Sequence, residues 1–248
     1  MMISSRHLSF SRKFRIASVL SIAAAAILMP AYVQSEVPGA PSGDAVLQQV
    51  RLSQAMQELP ELTGRLRNDL PDDGKREPFR LTMANSVIQF TFSNPDEVIL
   101  LDLGQGGTKL SRTLAGKSVS VAEKDYGNLI RGTAVNYEDL SMRFLYWPNA
   151  QVMDQDNVSS VGCWVVRAVN PDNRGPYHVV DIWAAKESGA ILKIDAYDRQ
   201  AKRIKSFRVS KGQKYKGAWI LKQMTVEGRD PATGKVIART YMDINDPK

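Results

Sequence analysis

The sequence holds one cysteine, Cys163, and two histidines among its 248 residues. A lone thiol excludes an internal disulfide, and in an oxidising compartment it is tolerated best when buried. Its neighbours Trp164, Val165 and Val166 suit a core strand. One histidine, His7, falls in the leader described below, so His178 is the single imidazole left for chemistry. One imidazole and one thiol cannot assemble the usual zinc or Cys/His centres, and no metal or cofactor is expected. There is no Gly-x-Ser-x-Gly elbow. The run Gly104-Gln105-Gly106-Gly107-Thr108-Lys109 lacks both the spacing of a phosphate loop and a hydroxyl residue after its lysine. Asp181, Asp195 and Asp198 could pair in space, although alternating strand positions ordinarily face water. A catalytic residue set is therefore not expected, and a binder is favoured over an enzyme.

Long hydrophobic runs are also missing. The most apolar stretch, residues 16–29, is shorter than the roughly 20 residues that span a bilayer. It follows Arg6, Arg12, Lys13 and Arg15 and is followed by Val33-Gln34-Ser35, which together read as a secretory signal cleaved after Ser35. The Ser11–Phe14 group lacks the second arginine of a twin-arginine signal, so general export to the periplasm is expected. No cysteine lies near the cleavage site to carry a lipid. Removing the leader's four cations lowers the formal charge from +7 to +3. The remaining lysines and arginines are scattered, with no aromatic-interleaved basic tract, so nucleic acid is not an expected partner.

What is present is a two-residue hydrophobic period. Residues 36–43 read as a flexible lead-in, and residues 44–248 as a single domain. Leu62, Gly64 and Leu66 alternate with Thr63, Arg65 and Arg67; Phe79, Leu81 and Met83 with Arg80 and Thr82; Ile88, Phe90 and Phe92 with polar neighbours. Each is a strand with one buried face. Residues 98–103, apolar on both faces apart from Asp102, read as a central strand, and residues 117–122 as a strand burying Val119 and Val121. Further strands follow at 151–158, 163–169, 178–184, 190–197, 204–209, 218–226 and 236–244. In residues 190–198, Ala190, Leu192, Ile194 and Ala196 fall on one face. About a dozen antiparallel strands should curl into a barrel-like sheet.

Two helices are expected against that sheet. Asp44 can cap one carrying Val46, Leu47, Val50 and Met56 until Pro60, and Asn136 can cap another carrying Tyr137, Leu140, Phe144 and Trp147 until Pro148. The aromatic stripe of the second suits either core packing or a lid over a cavity.

Tyr146-Trp147-Pro148, Gly162-Cys163-Trp164-Val165-Val166, Tyr177-His178-Val179-Val180-Asp181-Ile182-Trp183, residues 190–198 and Lys216-Gly217-Ala218-Trp219-Ile220 resemble the outer-membrane lipoprotein-sorting protein family. That family is related to the periplasmic carriers LolA and LolB, and the likeness spans about residues 136–244. It implies a mainly β, LolA-like antiparallel half-barrel with helices covering its concave face and an apolar cavity for acyl chains. The lining candidates are Phe90, Phe92, Tyr137, Leu140, Phe144, Trp147, Leu192, Ile194, Ile220 and Met224, with Arg65 and Arg80 as candidates for a lid-closing arginine. The implied partners are lipoprotein acyl chains or lipid, an inner-membrane export complex and an outer-membrane acceptor, met by a monomer. The alternative is a sensor or interaction module of the same fold that regulates a membrane partner.

Overall fold

The computed structural model describes residues 37–55, 59–104, 108–215 and 218–246; the leader, Met56 and the centre of the glycine run lie outside them. One sheet dominates. Its first half is β1 (Leu59–Leu70), β2 (Arg76–Ala84), β3 (Val87–Phe92), β4 (Glu97–Asp102), β5 (Lys109–Leu114) and β6 (Lys117–Ser120). Its second half is β7 (Gln151–Val158), β8 (Val161–Val169), β9 (Val179–Ala185), β10 (Ile191–Tyr197), β11 (Arg203–Tyr215), β12 (Ala218–Arg229) and β13 (Val236–Ile244). The order is β6-β5-β4-β3-β2-β1-β13-β12-β11-β10-β9-β8-β7, antiparallel throughout. The sheet is curved and unclosed, with β6 and β7 at its edges, as a half-barrel requires.

Nearly every pair of adjacent strands is a hairpin, and only the β1–β13 pair joins the two ends of the chain. At that seam Gly64 lies opposite Ile244 and Phe79. A Cβ on Gly64 would sit 2.4 Å from the Asp243 carbonyl oxygen and 2.7 Å from Phe79 Cζ, so the glycine leaves room for the phenyl ring. Alternation then buries Leu62 and Leu66 beside it, as it buries Phe90 and Phe92 in β3 and Ile99 and Leu101 in β4.

Several expectations change in register or extent. β4 is the third strand from the β6 edge, and its alternation of buried and half-buried residues ends with Glu97 inside. β6 is an edge strand exposed along its whole length, Val119 included, while Val121 packs against the core just beyond it. In β10 the ladder to β9 shifts between Ile191 and Lys193. That extra residue reverses the alternation. Ile191 and Ile194 reach the main core, whereas Leu192 joins a second cluster on the other face with Val158, Cys163, Val165 and Trp183.

The covering segments also differ from the expected pair of helices. α1 (Gly43–Ala55) buries Val46, Leu47 and Val50 against β7, β8 and the turn Arg143–Tyr146. Its first free amides meet Ser42, whose Oγ accepts from Ala45 N at 3.2 Å. Asp44 instead accepts from Ala150 N at 2.9 Å, stitching the helix to the start of β7. Pro60 falls inside β1, not at the helix end. The second helix is a single turn, α2 (Tyr137–Ser141), ended by Met142 at φ 45° and followed by the 3-10 turn Arg143–Tyr146. Its start matches expectation: the Asn136 side chain accepts from Asp139 N and the Asp139 side chain accepts from Asn136 N, both at 2.8 Å.

Candidate binding site beneath the helical cover

Eight of the ten lining candidates, Phe90, Phe92, Tyr137, Leu140, Phe144, Trp147, Ile194 and Ile220, are buried in one continuous apolar cluster, and Met224 packs half-buried against it. Leu192 is the exception, for the reason of register given above. The cover supplies Tyr137, Leu140, Phe144 and Trp147, and the sheet supplies the rest. Phe79 meets Phe90 and Phe92 edge-on at 5.5 and 6.1 Å, and Phe144 meets Trp147 at 6.4 Å. These side chains fill the space between sheet and cover with one another. Phe144 and Leu145 are 1% exposed and Leu47 and Ile99 are 0% exposed.

Two open clefts lie at turns, each bordered by charged side chains. One, of about 480 Å³, lies among Lys75, Glu77, Glu97, Arg112, Arg131 and Tyr137. The other, of about 270 Å³, lies at the β10–β11 and β12–β13 turns beside Arg203 and Arg229.

The cover is tied to the sheet by polar residues set in register with the apolar ones. Lys205 shares the inner face of β11 with Phe207, and its Nζ lies 3.0 Å from Asp139 Oδ2 of α2 while also bonding the Ala134 carbonyl. Thr240 shares the inner face of β13 with Met242. Its hydroxyl accepts from Ala134 N and donates to Asn68 Oδ1, both at 2.8 Å. The Tyr177 hydroxyl donates to Asp139 and accepts from Asn136 Nδ2. Burial pushes the Asp139 carboxyl up despite Lys205, and it holds the Tyr177 phenol well above its ordinary range. Glu138, fully buried, is lifted by desolvation from 4.5 to about 7, although Arg143 Nε donates to both its oxygens at 2.7 and 3.0 Å.

Arg131 ties the cover to the turns of the first half. Its guanidinium donates to Glu77 Oε2 at 2.6 Å and Glu97 Oε2 at 3.3 Å, and to the carbonyls of Ser93, Asn94 and Pro95 at 3.0, 2.7 and 3.2 Å. Its side chain is 7% exposed and lies over the Phe92 ring. The two arginines singled out by sequence lie elsewhere. Arg65 and Arg80 have side chains 52% and 60% exposed and pair on the surface with Asp243 and Glu61.

Lys205, Thr240 and Asn68 carried a signal that sequence reasoning passed over, namely polar residues at the inward positions of alternating strands. Arg131 carried none beyond its place next to Gly132 in irregular backbone. Cys163 is buried on the outer face of β8 with Val165. His178 is half-buried, its backbone shared between Asn170 and Tyr197. No helix among the described residues is long and apolar enough to cross a membrane.

Three solved structures are similar to this chain over most of its length. A DUF1329 family protein from Desulfovibrio piger aligns with a TM-score of 0.64 at 15% identity, covering 84% of this chain and 92% of its own. A domain described as an outer membrane lipoprotein-sorting protein, from Vibrio parahaemolyticus, aligns at 0.63 and 15% identity, covering 82% and 92%. A LolA superfamily protein from Nitrosomonas europaea aligns at 0.61 and 14% identity, covering 84% and 93%. No curated protein matches the sequence significantly. A family model described as "Uncharacterized protein" matches residues 115–247, from the β5–β6 turn through β13. That match takes in residues 123–150 of the cover and all seven strands of the second half, so the chain belongs to this family, and it does so on the LolA-like half-barrel fold of the lipoprotein-sorting proteins.

Proposed function

We propose that the protein is an exported, periplasmic carrier or chaperone that holds the acyl chain of a lipoprotein or another acylated molecule without catalysis, with residues 44–248 as the working unit. The observation that carries this reading is the composition of the interior. An open-edged sheet turns a continuous apolar face toward α1 and residues 123–150, and that cover meets it with Leu140, Phe144 and Trp147. The LolA-like fold supports the reading. Each methylene withdrawn from water contributes about 0.8 kcal/mol, which an acyl chain seated beneath the cover would set against the apolar surface exposed by opening it. In the closed form described here the cover's own side chains stand where the guest would lie. Loading then requires α1 or residues 123–150 to swing away from the sheet.

Native mass spectrometry of the freshly exported protein, with solvent extraction, tests this. Bound lipid, or uptake of a fluorescent fatty acid by the delipidated protein, is expected; an empty protein that takes up no acyl probe overturns it. N-terminal sequencing of the periplasmic form should begin at Glu36.

One observation favours a second reading from another class, an interaction module that regulates a membrane partner: the interior is already filled. Co-purification of one stoichiometric protein partner without acyl ligand would select that reading.

A further inference from the structure

β11 and β12 outrun their neighbours. β10 pairs with β11 only from Arg203 to Arg208, and β13 pairs with β12 only from Gln223 to Arg229. Beyond those points the ladder continues between the two strands alone, from Gly212 opposite Leu221 to Tyr215 opposite Ala218. This two-stranded arm carries Trp219, whose surface is 69% exposed. An indole is rarely left so open, because it is among the largest apolar groups a chain can bury.

The placement of Trp219 is built rather than incidental. Gly212 lies beneath the ring: a Cβ there would sit 3.2 Å from Trp219 Cε3 and 3.6 Å from Cζ3, a tight contact that the glycine relieves. Lys214, directly opposite in the ladder, places Nζ 5.4 Å from the ring centroid. Residues 209–222 contain four lysines, Lys211, Lys214, Lys216 and Lys222, and no acidic residue. Lys211 and Lys214 are exposed, and Lys222 pairs with Asp246 on the segment after β13.

We infer that the β11–β12 arm docks the protein on an anionic phospholipid surface, Trp219 entering the headgroup region while Lys211 and Lys214 meet lipid phosphates. Trp is favoured at that depth because one edge of the ring is apolar and its N–H keeps a polar partner. Lysines next to an anionic leaflet add electrostatic attraction that fades within a Debye length. One indole and two lysines give weak, salt-sensitive, reversible attachment, short of a permanent anchor. Ile220 turns into the apolar interior, whereas Trp219, Lys211 and Lys214 are exposed away from it, so this docking stands whether or not that interior accepts an acyl chain.

The test is co-sedimentation of the full exported protein with phosphatidylethanolamine vesicles containing phosphatidylglycerol, against pure phosphatidylcholine vesicles, at low and at physiological salt. Partitioning at least tenfold stronger to the anionic vesicles is expected, with a loss of about tenfold in K211E/K214E and several-fold in Trp219→Ala. Intrinsic fluorescence should shift to the blue on adding anionic vesicles, and Trp219→Phe should abolish that shift, since Trp147 and Trp183 are already buried and Trp164 is half-buried against the core beneath Lys186. Matching thermal melts would show that the variants fold. Equal binding by wild type and these variants, equal binding to both vesicle types, or no binding at all overturns the inference. Uptake of a soluble acyl probe, measured in the same preparations, reports the carrier reading separately.

Discussion

Lys205 of β11 reaches Asp139 of α2 across the sheet–cover boundary at 3.0 Å, and the two side chains are 6% and 2% exposed. Among the described residues this is the most buried ion pair between the cover and the strands. Neither group has water to fall back on, so removing one strands the other.

Lys205→Met should therefore destabilise the protein by about 3–5 kcal/mol, whereas Lys205→Met with Asp139→Asn should recover a substantial part of that loss. Chemical denaturation of the wild type, both single variants and the double variant measures the coupling. Additive losses would mean that the pair does not hold the cover.

Glu138 sets a pH dependence of definite sign. Its carboxyl is raised from 4.5 to about 7 by burial, against the pull of Arg143 and with Asp139 and Glu123 pushing the same way as burial. Between about pH 4.5 and 7 the folded chain therefore holds more protons than the unfolded one, and stability falls as pH rises through that window. Asp139, raised for the same reason, adds to the same trend. Urea midpoints measured from pH 5 to pH 7.5 should decline by at most about 3 kcal/mol-equivalents from Glu138, and Glu138→Gln should flatten the decline. A stability that rises over that interval would refute the assignment.

Thr240 joins three segments through one hydroxyl, accepting from Ala134 N in the cover and donating to Asn68 in β1. Thr240→Val keeps the shape and deletes both bonds, leaving a buried amide and a buried side-chain oxygen without their partner. A loss of about 2–3 kcal/mol is expected from thermal or urea unfolding, while Thr240→Ser should lose much less. Equal losses in the two variants would trace the effect to packing instead of hydrogen bonding.

The sheet was legible because alternation is a local property. Ile88, Phe90 and Phe92 report a buried face without reference to any other part of the chain, and the Asn136 cap with Asp139 three residues on is equally local. What escaped notice depended on distant partners. The Met142 break in the second helix follows from a left-handed backbone that its sequence does not announce. Asp44 looked like a cap because it precedes an apolar run, yet its partner is Ala150, far along the chain. The bulge in β10 that turns Leu192 outward is set by pairing with β9. The fullness of the interior is a sum over the whole core, and no strand pattern distinguishes a lined cavity from a packed one.

Arg131 and Arg80 separate a structural latch from a surface charge. Arg131 gathers two carboxylates and three carbonyls while nearly buried, and its own segment is closed by the Ile130 N to Val135 O bond of 2.8 Å. Arg80 makes one exposed contact, 3.8 Å from Glu61. Arg131→Met leaves Glu77 without its closest cation and Glu97 with Arg112 alone, so a cost of about 2–4 kcal/mol is expected. Arg80→Met should stay within about 0.5 kcal/mol of wild type. Hydrogen exchange locates the effect: in Arg131→Met the amides of Ile130 and Thr133 should lose protection by roughly tenfold or more, ahead of those in β9 and β10. If the cover is the gate for an acyl chain, the same variant should take up a fluorescent fatty acid faster than wild type. Protection lost evenly across the whole sheet would instead make Arg131 a general brace of the fold, with no special part in opening it.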